Sequence, residues 1–138
     1  MKRFEIIPHT ADLGVKAWGK NIKELFENIA LGALTLITDP SSINEVEKKT
    51  IEVTGWDNVS LLVNFLNEII YIIDVEKFLP SYVTIQAISS TFLKAQLIGE
   101  TIDPMRHHLR HSLKAATFHQ LVINFSDSIY NTTVIFDT

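Results

Sequence analysis

Apolar residues recur along this chain with two periods, and each change of period marks a new element. Residues 4–7 and 13–18 alternate apolar and polar positions, as strands do. Between them lies the turn Pro8-His9-Thr10-Ala11-Asp12. Pro8 has no backbone donor and biases Ile7 to an extended conformation, so the first strand is expected to stop about there. Gly19-Lys20-Asn21 then leads into a helix, with Asn21 and Glu24 spaced like a capping box. Ile22, Leu25, Phe26, Ile29, Ala33, Leu36 and Ile37 follow at helical spacing, and Asp39-Pro40 stops the run. A polar loop over 40–48 precedes an alternating strand over 49–54, which Gly55 ends.

A second helix is expected over about 59–77, with Asp57 or Asn58 as its cap. Leu61, Leu62, Val63, Phe65, Leu66, Ile69, Ile70, Tyr71, Ile72 and Ile73 cover most of its circumference. Asn64, Asn67 and Glu68 leave one narrow polar stripe. A helix apolar nearly all round is buried on more than one side, here between two sheets or between a sheet and the first helix. Pro80 resets the chain, and the remainder reads as β. Strands are expected over 82–87 and 91–98 around Ser89-Ser90, with Gly99 ending the second. Residues 100–112 are polar and irregular. A last hairpin, 113–125 with 129–137, turns at Ser126-Asp127-Ser128. The order β-β-α-β-α-β-β-β-β predicts a single α+β domain over 1–138, a layered fold of mostly hairpin-linked strands.

Composition narrows the class. At 138 residues, 46% apolar and 20% charged, the chain has the balance of a soluble globular domain with a sizeable core. No apolar run reaches the roughly 18 residues of a membrane span. The start Lys2-Arg3 leads directly into strand residues, so no export signal is expected and the cytoplasm is the default compartment. The absence of cysteine excludes disulfides, thiolate zinc sites and thiol nucleophiles. A net charge of −4 argues against autonomous nucleic-acid binding. No phosphate-binding loop, dinucleotide fingerprint or G-x-S-x-G elbow is present.

Candidate chemistry collects at the two ends. The first turn holds His9 and Asp12, and the last strand closes on Asp137 and Thr138. If the last hairpin folds symmetrically about Asp127, Asp137 lies opposite Thr117, with His119 diagonal to it and Lys114 three residues further along. If the Asp12 turn meets this rim, two carboxylates and a lysine come together. Two carboxylates with a backbone carbonyl such as that of Thr138 suit a hard cation, Ca²⁺ or Mg²⁺, and not zinc. A turn in which Thr10 and Asp12 merely satisfy amides stays open, as does a surface ion pair between Lys114 and Asp137. The run Arg106-His107-His108-Leu109-Arg110-His111 is a second candidate, for a phosphate or an acidic surface, beside the plainer reading of a solvated loop.

Several blocks together resemble the archease family. They are His9-Thr10-Ala11-Asp12, Lys23-Glu24-Leu25-Phe26-Glu27, and Leu61-Leu62 with Leu66-Asn67-Glu68. Further on come Gly99-Glu100, Asp103-Pro104, Arg106-His107, the run Leu113-Lys114-Ala115-Ala116-Thr117-Phe118-His119, and the closing Val134-Ile135-Phe136-Asp137-Thr138. The resemblance implies a sandwich with helices packed between β layers. It implies a non-catalytic protein cofactor that assists a GTP-dependent RNA ligase in tRNA splicing and RNA repair. There it promotes guanylylation of the ligase and repeated turnover, and meets RNA only through the ligase. It further implies a divalent cation, Ca²⁺ foremost with Mg²⁺ or Mn²⁺ as alternatives, held by Asp12, Asp137 and the Thr138 carbonyl. Lys114 is implied in ligase activation alongside Asp12 and Asp137. From their positions in the chain, His9, His107 and His119 are supporting candidates. Pro8 and Ser112 stand where the family commonly carries acidic residues, which implies a less anionic site and weaker cation binding. The competing readings from the residues alone are a metal-dependent phosphohydrolase using Asp12 and Asp137, and an adaptor with a merely structural cation.

Overall fold

The alternating segments of the chain build two separate antiparallel sheets, and the two helices lie between them. The computed structural model describes residues 2–8 and 12–138. In chain order the elements are β1 (Phe4–Pro8), β2 (Leu13–Gly19), α1 (Ile22–Ile37), β3 (Glu47–Thr54) and α2 (Asn58–Asp74). Then follow β4 (Phe78–Ile88), β5 (Phe92–Thr101), β6 (Ala115–Ala116), β7 (Asn124–Ser126) and β8 (Ile129–Asp137). A short 3-10 turn, Pro40–Ser42, lies in the expected polar loop. The five-stranded sheet runs β1-β2-β8-β6 with β7 also on β8, and the three-stranded sheet runs β3-β5-β4.

Both helices start where the caps place them. The Asn21 side chain accepts the Glu24 N–H at 2.8 Å, and Glu24 reaches back to the Lys20 N–H at 3.2 Å. Asp57 accepts the Ser60 N–H at 2.8 Å, and the Ser60 hydroxyl oxygen accepts the Asp57 N–H at 3.1 Å, a reciprocal box. α1 packs on β1, β2 and β8 on one side and on β4 on the other. α2 packs on β3 and β4 and, across the layer, on β6. Its all-round apolar surface is thereby explained. Phe26 and Phe65 stack at 6.0 Å between ring centres where the helices meet, and both are fully buried. Each such side chain contributes about 1.5–3 kcal/mol through burial. Gly32 lets α1 approach β2, since a Cβ there would lie 2.4 Å from a methyl of Val15.

Two expected boundaries fail for one reason. Pro80 does not reset the chain but lies inside β4, and Gly99 does not end β5, which continues to Thr101. The two residues face each other across the ladder, beside a bulge between Pro80 and Tyr82. β4 is an edge strand, where proline costs no ladder bond on its solvent side. Gly99 is required because a Cβ would come 2.1 Å from the Leu79 carbonyl oxygen. The second helix also ends at Asp74, three residues earlier than expected.

Candidate functional site

β2 begins and β8 finishes at the same end of the five-stranded sheet. Leu13 pairs with Phe136 in this antiparallel ladder, so Asp12 and Asp137 occupy the next positions beyond that pair. On the other edge of β8, Ala115 pairs with Asp137, and the Lys114 N–H donates to the Asp137 carbonyl at 2.8 Å. Three segments remote in sequence therefore bring Asp12, Lys114 and Asp137 to one rim. Asp12 is half-buried, while Lys114, Asp137 and Thr138 are exposed. His9 and its neighbours Thr10 and Ala11 lie outside the described residues.

The last hairpin is not the continuous, symmetric one expected. Asp127 and Ser128 form a two-residue turn with φ of 52° and 63°, the twist that matches tight hairpins, and Ser126 pairs with Ile129. Before Asn124 the chain is out of the ladder. The Thr132 hydroxyl takes the Val122 carbonyl at 2.7 Å, Leu121 turns into the core, and Gln120 adopts φ 51°. Continued from the Asn124–Asn131 pair, the register would set Asp137 against Phe118; β6 instead sets it against Ala115, three residues away. Asp137 is thus opposite Ala115 and not Thr117, and His119 lies in a turn outside the ladder. Both the N–H and the hydroxyl of Thr117 donate to the Ile135 carbonyl, at 3.0 and 2.9 Å. The break brings Lys114 directly beside Asp137. Asn67 of α2, read as part of a polar stripe and of the block Leu66-Asn67-Glu68, accepts the Ala116 N–H at 2.7 Å and so ties β6 to the helix layer.

A second polar cluster surrounds Glu100, which the sequence did not single out as a site. Its carboxylate accepts the Asn44 N–H at 2.6 Å, the Arg106 guanidinium, and His107 Nε2 at 3.0 Å. The Asn44 amide first, and then Arg106 and His107, hold its pKa down to about 2 against the opposing effect of burial. His107 Nδ1 accepts the Asp103 N–H at 2.8 Å, so in this geometry the ring proton belongs on Nε2, facing Glu100. Both ring nitrogens are occupied and the side chain is fully buried. His107 therefore belongs to this cluster and does not support the rim.

Arg106, Arg110 and the His108 carbonyl tie the rest of the run to α1 and the loop after it. Arg106 also reaches the Ser42 carbonyl at 3.2 Å. The Arg110 N–H takes the Ile37 carbonyl at 2.7 Å, its guanidinium takes that of Thr35 at 3.1 Å, and the Thr38 hydroxyl takes that of His108 at 2.6 Å. Residues 106–111 form a strap across the C-terminal end of α1. That helix has no basic residue in its own last turn, so Arg110 supplies the cation its dipole favours.

Among the described residues no group of three His, Cys, Asp or Glu side chains converges as a metal centre. Among the described residues the rim offers oxygen donors: the carboxylates of Asp12 and Asp137 and the carbonyl of Thr138. Such a set fits a hard, mostly hydrated cation held weakly, and disfavours zinc or copper.

Two helices enclosed by antiparallel sheets, with a polar rim where three strand ends meet, make this an α+β sandwich protein. Comparison with known proteins narrows the class. Residues 4–138 match the model of the Archease protein family (MTH1598/TM1083). Proteins named archease from Sulfurisphaera tokodaii and Pyrococcus abyssi are 34% and 36% identical, over 99% and 89% of both chains. The solution structure of a Methanobacterium thermoautotrophicum protein superposes with a TM-score of 0.85 at 34% identity, covering all of both chains. The crystal structure of a Thermotoga maritima archease, a possible chaperone, gives 0.69 at 22% identity over 96% of this chain and 94% of that one, a likeness of fold. The chain belongs to the archease family.

Proposed function

We propose that this protein is a cytoplasmic, non-catalytic cofactor of a GTP-dependent RNA ligase, promoting guanylylation of that enzyme and its multiple turnover in tRNA splicing and RNA repair. The reading is supported by one observation above others: Asp12, Lys114 and Asp137 share a rim although they come from three distant parts of an archease chain. Asp12, Asp137 and the Thr138 carbonyl are the residues that would hold a divalent cation, Ca²⁺ first, with Mg²⁺ or Mn²⁺ as alternatives. Bound there, the ion would supply fixed positive charge for the phosphates of the ligase's nucleotide. Lys114 is exposed and held through its own backbone beside Asp137, so its ammonium can reach a phosphate or a carboxylate of the partner. Being exposed, Lys114 and Asp137 can enter a partner's pocket without unfolding any part of the sandwich.

The test is a paired assay. The purified chain is incubated alone with phosphate esters, and then with the ligase, GTP and RNA ends. Wild-type chain is expected to turn over nothing alone and to raise guanylylation and joining when the ligase is present. Asp12→Asn, Asp137→Asn and Lys114→Ala are each expected to abolish that stimulation, and Lys114→Ala to retain Ca²⁺ binding by calorimetry. Hydrolysis by the chain alone, lost in Asp12→Asn, would establish the phosphohydrolase instead.

A further inference from the structure

The strap across α1 leaves a cleft of about 360 Å³ against the last turns of α2. Ile70, Ile73 and Ile102 give it an aliphatic floor, and Leu109 of the strap lines it while remaining 47% exposed. That exposure is built in. Leu109 sits between His108, whose carbonyl is held by Thr38, and Arg110, whose amide is held by Ile37. The side chain is thus kept at the cleft without rearrangement, which lowers the ordering cost of binding. Lys77, Arg110 and His111 also line the cleft against a single carboxylate, Asp74, although the chain as a whole carries −4. The wall residue Leu113 immediately precedes Lys114, so the cleft ends one residue along the chain from the rim. Among the described residues no Phe, Tyr or Trp lines it to stack a base, and its aliphatic floor suits an apolar side chain rather than a bare phosphate.

We propose that this cleft seats an apolar side chain of the partner ligase flanked by acidic residues, anchoring the ligase so that the adjoining rim reaches its nucleotide site. The proposal rests on the ligase reading above and adds a division of labour: the cleft sets affinity and the rim sets the activated rate. An apolar anchor in a pocket with complementary charge around it is the pattern of an interface hot spot.

The experiment titrates the full-length chain against the ligase and follows guanylylation, with direct binding measured by calorimetry. Leu109→Asp and Lys77→Glu alter exposed side chains, and thermal melts confirm that each variant is folded. Each is expected to raise the concentration for half-maximal activation by about tenfold or more, with the plateau at saturation unchanged. Lys114→Ala is expected to lower the plateau while binding stays within about threefold of wild type. Val122→Asp, an exposed apolar position outside the cleft, is expected to change neither. Unchanged binding in both cleft variants overturns the proposal while leaving the ligase reading intact. No binding of wild-type chain to the ligase overturns both. A self-associating chain that Leu109→Asp renders monomeric would show that a second copy occupies the cleft, and overturns it as well.

Discussion

The two sheets differ in how completely their strands are paired. In the three-stranded sheet, β5 is paired at eight positions with β3 and at nine with β4. In the five-stranded sheet, β8 is paired at seven positions with β2, but on its other edge at two with β6 and three with β7. Within it the uninterrupted β3–β5 ladder presents Ile51, Val53, Leu93, Ala95 and Leu97 to the core, and a shift of one residue there would turn that face to water. The broken ladder does something else. Where it parts, Lys114, Thr117 and the end of β8 are released from strict alternation, and an exposed lysine can stand beside an exposed aspartate. One sheet is closely paired along its length; the interrupted edge of the other carries the proposed site.

Gly99→Ala breaks the regular sheet and carries the largest expected effect. Its new Cβ meets backbone at Leu79 and Pro80 and cannot be relieved by a side-chain rotation. A loss of about 3 kcal/mol is expected in urea unfolding, with activation falling only in step with the folded fraction. An intermediate effect is expected at the broken edge. Asn67→Ala leaves the Ala116 N–H without its partner, costing about 1–2 kcal/mol. It should also lower ligase activation at saturating chain, because β6 positions Lys114. Activation equal to wild type in the folded variant would show that β6 is positioned by β8 alone.

Much of this contrast was legible in the chain. Asn21 and Asp57 marked the helix starts because capping is local chemistry, and the all-round apolar α2 announced a helix between layers. The failures were non-local. Gly99 and Pro80 read as breakers until their mutual pairing is known, for each permits the other's close approach. The strand over 113–125 reads as one because Leu121 and Ile123 alternate well enough. The turn at Asp127-Ser128 and the inward Leu121 set a register that the alternation alone does not reveal. Asp12 and Asp137 were visible as carboxylates at strand ends, but their adjacency depends on β2 and β8 being neighbours. The contacts that fix Arg106, His107 and Arg110 were not legible because their acceptors, Glu100 and the carbonyls of Ser42, Thr35 and Ile37, are scattered along the chain.

The smallest effect is confined to acid. Glu100 has a folded pKa of about 2 against an ordinary 4.5, so its ionised form stabilises the folded state. That contribution is complete above the unfolded value and is lost as pH falls from about 4.5 towards 2. Thermal midpoints should decline across this window in wild type, and Glu100→Gln should flatten that part of the decline. An identical slope in the variant would remove Glu100 from the acid response.

The claim that the rim is functional and not structural is tested most directly by removing Asp137 and Thr138 together and measuring ligase guanylylation and circular dichroism on the same preparation. The deletion takes two exposed residues from the end of β8, with the bond from the Lys114 N–H and the pairing of Asp137 with Ala115. The expected result is an unchanged spectrum, a melting point lowered by at most a few degrees, and no stimulation of the ligase at any concentration. Full stimulation by the shortened chain would contradict the assignment of the rim.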